Sequence, residues 1–362
     1  MKRFIGFEHG MGIGGWLTNY KRFHVLPPAW QQGLTVGDME HFASYITEED
    51  IRYIASLGMD HIRLGFDQIV LEERPYVYRE ETFRHIDRFI GWCKKYGLNI
   101  VLNLHKAVGN YCDMAENVQL LEDAELQNRF IALWKAIEQR YHGDNSIVFE
   151  LLNEVLNVDP EKWNALAEKA VTELRQLNKT RRLIIGSTSW NSARTLKDLK
   201  VFEDENVIYT FHMYRPNEFT HQQGVLQPRQ LYYNRRMPYP GEIDRYRDYR
   251  KLIFHDEDPY PGYERMDISF LRSAMQPAVD FIREHPDKIL WCGEFGTIRH
   301  ADLQWRENWM RDVITILREH QIPYCVWNYL STPNDGNRFS LVDDDHRRIL
   351  SEELARIIRG EV

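Results

Sequence analysis

The feature that most constrains this chain of 362 residues is a repeated alternation along its length. A short aliphatic run is closed by a polar residue, and a longer stretch with apolar residues at helical spacing follows. Repeated βα units wound around a parallel sheet produce this pattern. The clearest unit opens with the capping box Thr47-Glu48-Glu49-Asp50, continues through Ile51, Ile54, Ala55 and Leu57, and stops at Gly58. A strand over 61–64 follows at once. A helix with Phe83, Ile86, Phe89, Ile90 and Cys93 on one side ends at Gly97 and precedes a strand over 99–104. Helices over 123–141 and about 159–178 precede strands over 146–152 and 182–186, and a short helical segment near Leu196 and Leu199 leads to a strand over 207–211. Runs at 288–293 and 324–327, with the opening segment 9–13, bring the strands to eight. The expectation is an α/β fold, a (β/α)8 TIM barrel, although a doubly wound open sheet shares the local signals.

One interval breaks the rhythm. His212 and Glu294, which close the sixth and seventh runs, are 82 residues apart, against 49 between His105 and Glu154. Residues 216–267 carry six prolines and nine Tyr or Phe with almost no helical periodicity, which predicts a loop-built subdomain inserted in the sixth βα connection. The rest reads as a single barrel over 1–362. A net charge of −8 supplies no global positive field for nucleic acid or an anionic membrane surface, and no run of apolar residues is long enough to span a bilayer. Cys93, Cys112, Cys292 and Cys325 are too scattered for a disulfide framework or a CxxC site and read as reduced thiols. Lys2 and Arg3 imitate the start of a signal peptide, but five glycines, a Glu and a His follow within residues 4–15. The expected location is the cytoplasm, or outside the cell by an unrecognised export route.

In a barrel of this kind, functional groups stand at the C-terminal ends of the strands. Here Arg63 is read as ending the second strand, His105 the third, Asn153-Glu154 the fourth, His212-Met213-Tyr214 the sixth and Glu294 the seventh, with Trp327 in the eighth. Taken singly, His105 reads as a satisfied buried histidine, Trp327 as core and Arg63 as an ion-pair residue; their joint placement argues otherwise. Glu154 and Glu294 each follow a strongly apolar strand, where an unused carboxylate costs stability. Glycoside hydrolysis uses such a pair, one as protonated acid and the other as the anion that attacks or stabilises the anomeric carbon. A structural salt-bridge network is the alternative. A metal site of His9, His105 and His212 is disfavoured, because the first strand has no His-x-His and no helix carries HExxH.

These residues, with Gly14-Gly15-Trp16, Leu151-Leu152-Asn153-Glu154 and Cys292-Gly293-Glu294-Phe295-Gly296, resemble glycoside hydrolase family 5, the clan A cellulase family, over essentially the whole chain. Segments such as Trp92-Cys93-Lys94-Lys95-Tyr96 and Phe219-Thr220-His221-Gln222 resemble its compact single-module clostridial endoglucanases, which carry a subdomain after the sixth strand. The resemblance implies Glu294 as nucleophile, Glu154 as general acid and base, and retention of configuration without metal or cofactor. It places Asn153 on the sugar 2-hydroxyl, Arg63 and Tyr214 on Glu294, His212 beside the acid/base, and His105 and Trp327 under the sugar being cleaved. Two positions depart from the pattern: Gly12, where many relatives place an asparagine, and Lys106, where a second histidine is common.

Flat rings stack on the C–H faces of β-linked glucose, and Trp16, Trp30, Trp190, Tyr214 and Trp327 are the candidates. The insertion's aromatics form either a roof over the cleft or a small core of their own. Residues 24–42 would add a wall to the cleft, and Asn334, Asp335 and Asn337 either reach sugar edges or form an ordinary turn. The expected activity is that of a monomeric retaining endo-β-glucanase on β-1,4 or mixed-linkage β-1,3-1,4 glucan. A mannanase, a xyloglucanase, an exo-acting β-glucosidase and, more remotely, a non-catalytic carbohydrate-binding barrel remain the alternatives.

Overall fold

The computed structural model describes residues 2–21, 34–114, 118–225, 228–332 and 335–362. Eight parallel strands close into a barrel: β1 (His9–Leu17), β2 (His61–Asp67), β3 (Asn99–Lys106), β4 (Ile147–Glu150), β5 (Leu183–Gly186), β6 (Val207–Met213), β7 (Ile289–Phe295) and β8 (Tyr324–Val326). Closure is made where β1 pairs with β8, His9 opposite Tyr324, which removes the open-sheet alternative. β2 runs three residues beyond the apolar run that announced it. Arg63 is therefore its third residue, inside the barrel, and not its end.

Around the strands lie α1 (Val36–Ser44), α2 (Glu48–Ser56), α3 (Glu80–Lys95), α4 (Ala124–Arg140), α5 (Pro160–Leu177), α6 (Ile243–Phe254), α7 (Ile268–Glu284), α8 (Leu303–Glu319) and α9 (Glu352–Ile358). Between β5 and β6 lie the short turn Thr188–Asn191 and the 3₁₀ segment Ala193–Asp198. The caps follow the sequence. Thr47 and Asp50 form the reciprocal box that opens α2, and at α5 the Asp159 side chain accepts from Glu161 N while Pro160 occupies the first turn. The buried stripe of α5, Trp163, Leu166, Ala167, Ala170, Val171 and Leu174, shows the helical spacing that hides one face.

The barrel interior changes character along its axis, and this positions the site. At the N-terminal end a separate apolar cluster joins Val101, Val148, Ile184, Ile208 and Trp291. Phe4 and Phe7, stacked at 4.3 Å, plug it from below, Phe4 meeting Trp291 edge-on at 6.3 Å. Strand side chains two residues apart share a face, so the next interior layer is Asn103, Glu150 and Thr210, all fully buried, and the one above it includes His105 and His212.

The insertion is not loop-built. Residues 216–267 contain the short helix Pro228–Tyr233, α6, and an antiparallel ribbon of Gly241–Glu242 with Arg265–Met266. α6 escapes an apolar-periodicity reading because its buried stripe, Ile243, Tyr246 and Tyr249, is mostly tyrosine set among arginines. These tyrosines form a small core, Tyr233 meeting Tyr249 edge-on at 4.9 Å. The core is fastened to the barrel by Tyr239, which donates to Asp312 at 2.7 Å.

Candidate active site

Arg63 is the centre of the site. The guanidinium is wholly buried, and a buried cation is tolerated only with its donors matched to acceptors. Nε and Nη2 donate to the two oxygens of Glu150 at 2.6 and 2.8 Å, Nη2 donates also to Asn153 Oδ1 at 2.7 Å, and Nη1 donates to Glu294 Oε1. The fork thus fixes two carboxylates, Glu150 below and Glu294 above.

Glu294 Oε2 accepts from the Tyr214 hydroxyl at 2.9 Å. Across the cleft, Glu154 Oε1 lies 2.9 Å from His212 Nδ1, and the same nitrogen is 3.7 Å from Glu294 Oε2. One oxygen of each glutamate and a ring nitrogen of His212 all fall within 4.8 Å of one another. The disfavoured grouping of His9 with His105 and His212 does not assemble, since His9 lies at the opposite end of β1 against Tyr324, their rings 5.1 Å apart.

Burial pushes Glu154 up to about 7, Arg63 opposing the rise and Glu150 and Asp113 adding to it. Burial also raises Glu294, against the pull of His212 and Arg63 and the Tyr214 hydrogen bond. The asymmetry lies in the donors: Glu294 takes a charge-assisted bond from Arg63, whereas Glu154 is paired with an imidazole that burial lowers to about 4 and so keeps neutral. His105 is likewise held neutral by burial and by Arg63.

His105 and Trp327 form one floor, their rings stacked at 5.4 Å and 9°. Asn103 Oδ1 holds His105 Nδ1 at 2.9 Å from the layer beneath. The indole explains Gly12: a Cβ there would stand 2.7 Å from Trp327, so this floor leaves no room for an asparagine. Lys106, the other departure, is buried and pairs with Asp113 at 3.4 Å on the cleft wall.

Glu154, Glu294, His212, Tyr214, His105, Trp327 and Lys106 line a cleft of about 830 Å³, together with Trp190, Asp335, Asn337 and Phe339. Trp190 is 37% exposed, and its indole N–H donates to Cys112 O at 2.8 Å. Trp16 is not a sugar platform. It is fully buried, donates to Phe42 O at 2.9 Å and packs edge-on to Phe89, because β1 continues past the predicted end and carries the indole into the core. Asp335 accepts from Asn337 N at 2.8 Å, as in an ordinary Asx turn, while Asn334, Trp30 and most of the 24–42 wall lie outside the described residues.

Two residues of the site carried no signal that the sequence reading used. Glu150 sits within the apolar run of β4, where a single acidic residue two places beyond Val148 marks an interior charge. Asn191, whose Nδ2 is 3.1 Å from His212 Nε2, depends on a turn geometry that composition does not announce.

The family model for cellulase, glycosyl hydrolase family 5, matches residues 28–332. The chain belongs to glycoside hydrolase family 5. This family 5 enzyme is 35% identical to Endoglucanase C of Acetivibrio thermocellus over 98% of each chain, and equally so to Endoglucanase C307 of Clostridium sp. strain F1. A solved structure of Thermotoga maritima Cel5A in complex with cellobiose superposes with a TM-score of 0.74 at 25% identity, covering 97% of each chain. The family 5 resemblance and the barrel expected from the sequence are thereby both borne out.

Proposed function

We propose that this family 5 enzyme is a retaining endo-β-glucanase that cleaves β-1,4 or mixed-linkage β-1,3-1,4 glucan, with Glu294 as nucleophile and Glu154 as general acid and base. The observation that carries the reading is the close approach of the two carboxylates, an oxygen of each lying within 4.8 Å of the other. Retaining enzymes hold their carboxyl groups about 5 to 5.5 Å apart, whereas inverting ones leave roughly 6.5 to 9.5 Å for a water. In the first step a Glu294 oxygen forms a bond to the anomeric carbon as the glycosidic bond breaks and Glu154 gives its proton to the departing oxygen. In the second step Glu154 takes a proton from water, the water oxygen bonds to the anomeric carbon, and Glu294 leaves as a carboxylate. Asn153, whose Oδ1 accepts from Arg63, is assigned in this reading to the 2-hydroxyl, where contacts strengthen as the ring flattens.

The names of the endoglucanase relatives support a glucan backbone. A shorter, chain-end-directed site is the second reading, because the insertion and the loop after β8 approach across one wall, a Cβ on Gly336 falling 2.5 Å from Val225. The test is the product profile on carboxymethylcellulose, barley mixed-linkage glucan, xyloglucan, glucomannan and cello-oligosaccharides, beside Glu294→Ala. A spread of oligosaccharides from the glucans, abolished in the variant, is expected; activity confined to mannan or xyloglucan, or release of single short products, overturns the endoglucanase assignment. We read the enzyme as a monomer, to be checked by light scattering. Its four free cysteines favour the cytoplasm, or export by another route, and cell fractionation tests this.

A further inference from the structure

The turn after β5 is built against the backbone's preference. Ser189, Trp190 and Asn191 all lie in the left-handed region, with φ of 55°, 60° and 53°, where a residue with a Cβ loses roughly 1–2 kcal/mol. Such a run persists only when its surroundings hold it. Two of the restraints come from the segment that follows Glu154: Ser189 N donates to Leu156 O at 3.1 Å and Trp190 N to Val155 O at 2.9 Å. Glu154 is itself left-handed, with φ of 42°. The last residue of the turn, Asn191, is fully buried, with Nδ2 3.1 Å from His212 Nε2, and His212 Nδ1 returns to Glu154 Oε1 at 2.9 Å. The contacts close a ring that begins and ends at Glu154.

We propose that Asn191 is a positioning residue for the general acid: its amide sets the tautomer of His212 and thereby decides which oxygen of Glu154 carries the proton. This rests on reading Glu154 as the acid. His212 is neutral, so it has one N–H to give. With Nε2 accepting from the Asn191 amide, the ring proton is on Nδ1 and is donated to Glu154 Oε1. That leaves the acid proton to Oε2, from which it passes to the departing glycosidic oxygen. The reversed amide would accept from Nε2 and leave Nδ1 as the acceptor, so that the Glu154 O–H would be drawn into the ring and away from the departing oxygen. Without the amide, the ring is free to hold its proton on Nε2; Nδ1 then accepts, and protonated Glu154 turns its O–H into the ring. The backbone of β5 makes room for the amide, since a Cβ on Gly186 would stand 2.4 Å from Asn191 Oδ1 and 2.6 Å from Nδ2.

Two variants separate the amide from the turn. Asn191→Gly keeps a left-handed conformation without strain and removes only the side chain, whereas Gly186→Ala leaves Asn191 in place and displaces its amide. The readout is kcat/KM on 2,4-dinitrophenyl β-cellobioside, whose leaving group departs unprotonated, against phenyl β-cellobioside, which needs the proton. In both variants the ratio of the first to the second is expected to rise roughly tenfold, a fraction of the 10²–10⁴ that general acid catalysis supplies. Glu154→Gln, run beside them, sets the ceiling. If it slows both substrates equally, Glu154 is not the acid and the reading beneath the proposal falls. If it raises the ratio while Asn191→Gly and Gly186→Ala leave the ratio unchanged, the Asn191 proposal alone is overturned. Nitrogen-15 NMR of the wild-type enzyme should show His212 protonated on Nδ1; protonation on Nε2 also overturns it.

Discussion

Tyr214→Phe deletes one oxygen from the site, and its consequence follows from the surroundings of Glu294. The phenol donates to Glu294 Oε2 at 2.9 Å, and burial beside that carboxylate raises the hydroxyl's own ionisation well above its usual range, so it remains a donor throughout the working range. Glu294 Oε1 keeps its bond from Arg63, and His212 stays 3.7 Å from Oε2. Burial already lifts Glu294 above the ordinary carboxylate value, and the Tyr214 bond is one of the contributions that opposes the rise. A hydrogen bond to a charged group contributes about 1.5–3 kcal/mol, and one pH unit corresponds to about 1.4 kcal/mol. Losing the bond should therefore carry the ionisation of Glu294 upward by about one to two pH units. The nucleophile acts as an anion, so activity is present above its pKa and is lost as pH falls through it; raising that pKa moves the acidic limb of kcat/KM towards neutrality. The alkaline limb, set by Glu154, should stay in place. The assay is kcat/KM on 4-nitrophenyl β-cellobioside across the acid and neutral range, with thermal melting as a check on folding. A folded variant whose rate falls uniformly while its acidic limb coincides with that of the wild type would refute the reasoning.

In the wild type the acid must be protonated, so kcat/KM should fall as pH rises through about 7; Glu154→Gln should flatten that limb on an activated aryl cellobioside. Glu150→Ala removes two of the bonds that neutralise buried Arg63 and should cost about 3–5 kcal/mol in denaturant unfolding at neutral pH, the range for one partner stripped from a buried ion pair. The two tryptophans should separate cleanly. Trp16→Ala should lower stability by about 3–5 kcal/mol, whereas Trp190→Ala should leave the melting temperature nearly unchanged and raise KM for longer cello-oligosaccharides several-fold.

The strand ends that the sequence marked are the ones that converge, because an apolar run closed by a polar residue is how a barrel strand meets its rim. Glu154, Glu294, His105, His212, Tyr214 and Trp327 come together for that reason. Residues read wrongly or missed obey a different rule. Arg63 and Glu150 belong to a charged layer one step inside the rim, where the apolar context that signals a strand hides the residue doing the positioning. Trp16 is a flat ring like the other candidates, but it lies beyond the 9–13 run, where β1 continues to Leu17 and buries it. α6 was hidden by tyrosine and arginine in place of leucine. Asn191 depends on three consecutive left-handed residues, a conformation fixed by contacts with the segment after Glu154 and not by local propensity.

The most direct test of the double-displacement account is the configuration of the first product, followed by proton NMR of the anomeric signals during hydrolysis of cellotetraose before mutarotation blurs them. Two carboxylates this close predict that the β-anomer appears first. Initial formation of the α-anomer would mean that water attacks directly, and would contradict Glu294 as the nucleophile.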